Sequence, residues 1–223
     1  MICDFIKKQT INDKLYYGRT PMVQIDLSFP AMTGHGASSV RFNLYNRQKA
    51  ARSYNYARIK LYPQAVKQYQ FSKSQGYPFN TYELVQNYDL TYCKKPILSL
   101  FFDLYEFTGG AHGNTVRTGN TWDLRRGTLI TLNELFIRDY DYNKIILKTI
   151  EAEARRRQIA GKADYFENLS ENLVKFYDEK NFFLTEEGIA IFYPLYTIAP
   201  YVTGIQVFII PYVLFGSNMT IQL

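Results

Sequence analysis

The sequence predicts an α+β fold in which mixed or antiparallel sheets pack against helices. Hydrophobic residues make up 47% and charged residues 21% of the 223 residues, as is typical of globular chains. Aromatic content is high, with 20 Tyr and 16 Phe, and tyrosine suits half-exposed strand faces. Apolar spacing also alternates between two and three to four residues, which indicates the order strand, helix, strands, helices, strands.

The N-terminal part reads as a strand followed by helices. Apolar and polar residues alternate over 23–29, which predicts a half-buried strand. From Ser38 the apolar spacing becomes helical, and Ser38 or Ser39 is expected to cap the first turn. Pro63 either interrupts this helix or begins a second one, and the turn residues 75–78 close the segment.

The middle of the chain is rich in strand-forming residues. Residues 82–92 and 96–108 read as two strands, and aromatic side chains on both faces of the second predict cover on each side. A polar, glycine-rich loop is predicted at 109–119, followed by a short strand at 121–124 and a turn at 125–127.

The C-terminal part combines helices with strands. Apolar stripes predict helices over 143–160 and 164–177. Strands follow at 182–184, 189–193 and 204–211, the last with an apolar run at 207–210 that indicates burial. Because no repeat or linker separates them, two tightly joined subdomains are expected, residues 1–95 and 96–223.

The net charge of +6 and the pI near 9.1 favour anionic partners, but the excess looks mild and scattered. The densest cluster is Arg155, Arg156 and Arg157. Glu151 and Glu153 lie one helical turn earlier and are expected to pair with Arg155 and Arg157. This pairing predicts a solvated helix face, so no nucleic-acid partner is expected.

Cofactor motifs are sparse. Cys3 and Cys93 form one disulfide or stay free, and their spacing does not decide which. No C-x-x-C or Cys/His grouping occurs, and structural zinc would need all four of the chain's Cys and His residues as its ligands. A site that pairs His35 with His112 has little support either, so no metal is predicted. No phosphate loop or nucleophile elbow occurs either, so we expect neither a cofactor nor acyl-transfer chemistry.

The N-terminal residues 1–10 lack the apolar stretch of a signal peptide, and no later run is long enough for a membrane span. We therefore expect no membrane span, and a cytoplasmic location if Met1 is the native start.

Two sequence blocks resemble a known family. YEFTGGAHGNT at 105–115 is similar to the signature of the domain-of-unknown-function family 3298 (DUF3298). FLTEEGI at 183–189 and YTIAPY at 196–201, followed by the strand that ends in Ile210-Pro211-Tyr212, resemble its C-terminal end. Residues from about 23 to 80 resemble family 4163, which commonly precedes it. In the YTIAPY block, Thr197 stands where the DUF3298 family commonly has Glu, so no carboxylate role is expected there.

The resemblance implies a function in the cell envelope. Domains of this type form the extracellular part of anti-sigma factors that bind lysozyme, and they occur beside peptidoglycan deacetylases. The resemblance therefore implies an extracytoplasmic, non-enzymatic recognition module for a lysozyme-like protein or a wall glycan. Two alternatives stay open, namely a wall-polymer hydrolase that uses His112 as its base and a cytoplasmic interaction domain.

The loop signature supplies the first candidate ligand-binding residues, Gly109, Gly110, His112 and Asn114. An imidazole in a glycine-rich loop can act as a base or a metal ligand. The structural interpretation is stronger, because glycines at 109, 110 and 113 supply positive φ angles while His112 and Asn114 satisfy loop amides. No catalytic residue is therefore predicted.

The C-terminal tyrosines supply the other candidates, Tyr193, Tyr196 and Tyr201. Exposed tyrosine beside glycine suits sugar stacking and protein contacts. The alternative is that these rings pack between sheet and helix. The adjacent Glu186 and Glu187 read as solvated turn residues rather than as a catalytic pair.

Overall fold

A computed structural model of the chain describes residues 3–94 and 96–221. Its strands form two sheets, and the α+β prediction is confirmed. The strands are β1 (Ile6–Tyr17), β2 (Thr20–Met32), β3 (Tyr82–Lys94), β4 (Ile97–Phe107), β5 (Asn114–Asp123), β6 (Thr128–Leu129), β7 (Phe182–Leu184), β8 (Gly188–Tyr193) and β9 (Gln206–Pro211). One sheet has the order β1-β2-β3-β4-β5-β6 and the other the order β7-β8-β9.

Four α-helices, a π-helical turn and three short 3-10 turns complete the described architecture. The helices are α1 (Ala37–Tyr56), α2 (Tyr62–Gln75), α3 (Tyr142–Ile159) and α4 (Leu169–Lys175), and the π turn Ala57–Leu61 joins α1 to α2. Within the described parts of the chain, none of these helices combines the length and apolar character needed to cross a membrane.

The chain divides into two compact units. Among the described residues, the N-terminal unit comprises residues 3–89 and 102–116, and the C-terminal unit comprises residues 90–94, 96–101 and 117–221. Strands β3, β4 and β5 therefore contribute residues to both units. The predicted boundary between 95 and 96 falls on Lys95, which lies outside the described residues, and it stays a prediction.

The N-terminal unit covers one face of its sheet with helices. β1 pairs with β2 antiparallel with a bulge at Leu15 and Tyr16, and β2 pairs with β3 in parallel. The predicted strand at 23–29 and the helix that begins near residue 38 are both confirmed. Apolar residues of β2 and the helices form the core, namely Val23, Ile25, Leu27, Ala57, Leu61 and Ala65.

The predicted helix boundaries in this unit are confirmed at Pro63 and Gly76, but the predicted cap of α1 is not. Pro63 lies in the first turn of α2 and Gly76 ends that helix with φ +71, as the sequence indicates. The predicted serine cap is wrong. Gly36 is the N-cap of α1, and the Ser39 hydroxyl donates to the Gly36 carbonyl instead of accepting from a helix amide.

The C-terminal unit packs α3 and α4 against β7, β8 and β9. Ile146, Ile150 and Ala154 of α3 face apolar residues that include Ile191 and Phe208. The β7-β8-β9 sheet is antiparallel throughout. The predicted helix over 143–160 and the predicted strands at 182–184 and 189–193 are confirmed.

Three boundaries differ from the predictions. β5 begins at Asn114 rather than 121, because pairing within a sheet satisfies the backbone even where side chains are polar. α4 is shorter than predicted, since Asn168 has a left-handed φ of 59° that a continuous helix excludes. In β9, Ile209 is exposed, so the run 207–210 alternates between faces instead of being buried throughout.

The cysteine question is resolved by the structure. Cys3 and Cys93 are both disulfide-bonded, and neither is free.

Candidate functional site

The C-terminal unit contains a cavity of about 710 Å³. It opens between β5, the segment after β6, α3 and the turn that leads into β7. Its lining includes Leu129, Asn143, Leu147, Val174, Tyr177 and Phe182. A cavity of this volume falls within the usual range of small-molecule sites, roughly 300 to 1,000 Å³.

One wall of the cavity is apolar and partly accessible. Leu129 and Leu147 are half-buried, and Val174 on α4 is 63% exposed at the rim. Phe182 of β7 is buried at the base. This wall offers contact to the apolar face of a ligand without requiring the unit to open.

A hydrogen-bond chain forms a polar part of the cavity lining. The Tyr177 hydroxyl lies 2.7 Å from Asn143 Oδ1, and Asn143 Nδ2 lies 2.8 Å from Glu179 Oε1. The Tyr142 hydroxyl also bonds to Glu179. An ionised carboxylate accepts only, so Asn143 must donate to Glu179 and turn its oxygen toward Tyr177.

The two tyrosine hydroxyls of this chain keep their protons. Burial, followed by the hydrogen bond to Glu179, raises the pKa of Tyr142 to about 12. Burial and then the nearby charge of Glu179 raise the pKa of Tyr177 as well. Both hydroxyls stay protonated at neutral pH, so the Tyr177 O–H donates a hydrogen bond to Asn143 Oδ1 and the Tyr177 oxygen can still accept one.

The close packing below the cavity depends on one glycine. A Cβ at Gly119 would lie 1.7 Å from the carbonyl oxygen of Phe182, so β5 approaches β7 more closely than any side chain allows. Gly119 and Phe182 both line the cavity. Sequence reasoning missed this contact, because it placed Gly119 at the end of the predicted loop 109–119 and not in a strand.

The glycine-rich loop in the N-terminal unit has a structural arrangement. His112 is exposed, and its Nδ1 lies 3.1 Å from the Gly113 carbonyl oxygen. Gly109 has φ +85, but the predicted positive φ is wrong for Gly110 and Gly113. Gly113 is needed for another reason, because a Cβ there would lie 2.4 Å from the Tyr105 ring.

The remaining loop candidate, Asn114, is exposed at the first position of β5. Ligand binding by Gly109, Gly110, His112 and Asn114 stays a prediction. The described residues contain no group of three or more His, Cys, Asp or Glu side chains placed to hold a metal.

The three candidate tyrosines occupy two different environments. Tyr193 is completely buried, and its hydroxyl donates to the Leu173 carbonyl oxygen at 2.8 Å. Tyr196 and Tyr201 instead stack with ring centroids 5.7 Å apart, and Tyr196 is 52% exposed at a left-handed φ of 63°. A left-handed backbone conformation is energetically costly for tyrosine, so the backbone at Tyr196 is strained. Their roles in binding stay predictions.

The charge pairs predicted on α3 are present. Arg155 Nη2 lies 2.8 Å from Glu151 Oε1, and Arg157 Nε lies 2.8 Å from Glu153 Oε1. Arg156 pairs with Glu153 as well, at 2.6 Å. In the predicted turn, Glu186 forms an exposed ion pair with Lys94.

Two family models match successive regions of the chain. The model described as deacetylase PdaC matches residues 18–115, and the model described as a protein of unknown function, DUF3298, matches residues 133–213. The chain carries a DUF3298 domain preceded by a PdaC-like region. The cavity residues Asn143, Val174, Tyr177 and Phe182 all lie within the DUF3298 match, whereas the loop at 109–113 lies in the PdaC-like match.

A curated protein is similar over part of its length. The peptidoglycan-N-acetylmuramic acid deacetylase PdaC of Bacillus subtilis is 26% identical over 133 residues, which are 56% of this chain and 26% of that protein. The match therefore spans about a quarter of the deacetylase.

Solved structures of DUF3298 proteins share the fold. A family member from Bacteroides fragilis matches with a TM-score of 0.68 and 18% identity over 96% of this chain and 92% of the other. A family protein from Pseudomonas aeruginosa matches with a TM-score of 0.62 and 14% identity over 96% of this chain and 94% of the other.

Proposed function

We propose that the chain is a recognition module of the cell envelope. Its C-terminal unit, which contains the DUF3298 match, binds an N-acetylated sugar of the wall glycan. The observation that carries this proposal is the polarised chain from Tyr177 through Asn143 to Glu179 at the side of an apolar cavity. The similarity to a peptidoglycan-N-acetylmuramic acid deacetylase supports the choice of glycan.

The chemistry of an acetamido group complements this arrangement. Tyr177 keeps an acceptor lone pair, and Asn143 keeps a second N–H with no partner among the described residues. An acetamido group carries one N–H donor and one carbonyl acceptor side by side, so it can bond to both. Its methyl group and the apolar face of the sugar ring would then contact Leu147 and Val174.

The disulfide supports an extracytoplasmic location. Stable disulfides form in oxidising compartments and are rare in the cytoplasm of mesophiles. Because Cys3 and Cys93 are both disulfide-bonded, a protein exposed to the envelope environment is favoured over a cytoplasmic interaction domain.

The direct test is calorimetric titration with soluble N-acetylglucosamine oligomers and with glycan fragments released from peptidoglycan. Val174→Trp places a large ring at the exposed rim of the cavity and is expected to weaken binding at least tenfold. Val202→Trp is the matched control, because Val202 is 88% exposed and does not line the cavity. It should bind as the unmodified chain does.

Three outcomes would overturn the proposal. These are no heat of binding with any fragment, equal weakening by both variants, and equal affinity in all three proteins. Mass spectrometry of the fragments after incubation adds a further check, since cleavage products would favour the wall-polymer hydrolase instead.

A further inference from the structure

The helical segment of the N-terminal unit carries an unbalanced positive charge. Residues 37–75, which form α1, the π turn and α2, contain eight basic residues and no acidic residue. The basic residues are Arg41, Arg47, Lys49, Arg52, Arg58, Lys60, Lys67 and Lys73. The chain has 26 basic and 20 acidic residues, so the remainder, with 18 against 20, is slightly acidic. The positive charge is therefore concentrated in this segment, not scattered as the sequence reading assumed.

Most of these cations point away from the unit. Lys49 is the exception, since it lies over the Phe102 ring at 4.9 Å and burial lowers its pKa. The other seven are exposed. Arg47, Arg52 and Lys60 form no ion pair with any carboxylate among residues 3–94 and 96–221. The fold itself therefore does not use these three charges.

Apolar side chains project between the cations. On α1, Val40 and Leu44 are 55% and 52% exposed and lie one turn apart. Arg41 and Arg52, eleven positions apart, lie on one side of this stripe, and Arg47 lies on the other.

The π turn also exposes an apolar side chain between two cations. Ile59 is 67% exposed and stands between the exposed Arg58 and Lys60. On α2, Phe71 is exposed as well, at 56%, between Lys67 and Lys73. This surface exposes both apolar side chains and cations. The apolar side chains suit the acyl boundary of a bilayer, and the cations suit its phosphate headgroups.

We propose that the exposed face of residues 37–75 docks on an anionic phospholipid bilayer, with the helices parallel to the membrane surface. The arginine and lysine side chains contact lipid phosphates, while Val40, Leu44, Ile59 and Phe71 enter the interface. A soluble polyanion such as a nucleic acid or a phosphate-rich wall polymer would be held by the cations alone and would leave the aliphatic side chains in water.

The test is co-sedimentation of the full chain with vesicles. Vesicles of phosphatidylcholine alone are compared with vesicles that contain phosphatidylglycerol, at low and high salt. Binding is expected only to the anionic vesicles and should weaken as salt screens the charges. Replacing Arg47, Arg52 and Lys60 by Gln together is expected to weaken binding about a hundredfold, at roughly one factor of five per cation.

The matched control removes the same charge elsewhere. Lys8, Lys148 and Lys162 are all exposed and lie outside the segment, and their combined replacement by Gln should leave vesicle binding within about threefold. A second variant, Val40→Ser with Ile59→Ser, keeps every charge. It should weaken vesicle binding but leave any binding to polyphosphate or RNA unchanged.

Several results would contradict the membrane proposal. One is the absence of vesicle binding at low salt, and another is an equal loss in the two triple variants. A third is full vesicle binding by the serine variant together with displacement by RNA or polyphosphate, which would assign the surface to a soluble polyanion. Thermal melting of each variant confirms that the fold is retained.

Discussion

Two helical regions of the molecule are rich in arginine, and they differ in what neutralises the charge. On α3, Arg156 and Arg157 both pair with Glu153, and Arg155 pairs with Glu151. Residues 37–75 carry eight cations without a single carboxylate. The local density of arginine therefore does not measure the net positive charge of a region. The guanidinium groups of α3 serve the fold. In residues 37–75, the acid-free segment, Arg47 and Arg52 instead form no ion pair with a carboxylate of the described residues 3–94 and 96–221.

The largest difference should appear in stability when one arginine is truncated in each region. Arg157 is mostly buried, donates to the Val207 carbonyl oxygen at 2.9 Å and lies 4.7 Å over the Phe208 ring. Arg157→Ala is therefore expected to reduce the free energy of unfolding by about 2 kcal/mol in urea titrations. Arg47→Ala should change it by less than about 0.5 kcal/mol. Equal losses in the two variants would show that Arg157 stabilises the fold no more than Arg47 does.

A smaller effect is expected from pH. Hydrogen bonds from Arg156 and then Arg157 lower the pKa of Glu153 from 4.5 to about 2. Because the pKa of the folded state lies below that of the unfolded chain, this group stabilises the fold above about pH 4.5 and loses its contribution as the pH falls toward 2.

Glu153→Gln isolates that contribution from the other carboxylates. Urea midpoints measured at pH 6 and pH 3 should fall further in the unmodified chain than in the variant. If the two proteins lose stability in parallel, the ion pairs of α3 do not contribute as described.

The smallest effect should come from adding one counterion to the acid-free segment. Gln48 and Arg52 are both exposed and lie four positions apart on α1. Gln48→Glu is expected to stabilise the fold by about 0.3 to 0.5 kcal/mol through the new pair. Gln48→Ala controls for helix propensity, and a gain of the same size in that variant would remove the electrostatic explanation.

Local periodicity predicted most of the fold. The strand at 23–29, the helix from residue 38 and the glycine at position 76 follow from spacing and backbone preference, which act over a few residues. The short α4 was not predicted, because the left-handed Asn168 depends on its surroundings. β5 was predicted too short, because strand pairing and not composition satisfies its backbone.

The cavity was not predicted, because the residues of its hydrogen-bond chain are far apart in the sequence. Asn143 lies 34 positions from Tyr177 and 36 from Glu179, so only the packing of the unit brings them together. The acid-free segment is different, since it is visible in the sequence. A search for the densest run of cations selects 155–157 and passes over cations that are spaced along a helix.

An NMR titration of the labelled chain with an N-acetylglucosamine oligomer shows directly whether the cavity binds the sugar. We predict saturable chemical-shift changes at the side chains of Asn143, Leu147 and Val174, with little change at residues 37–75. Changes confined to Tyr196 and Tyr201, or no saturable change anywhere, would contradict the assignment of the cavity as a sugar site.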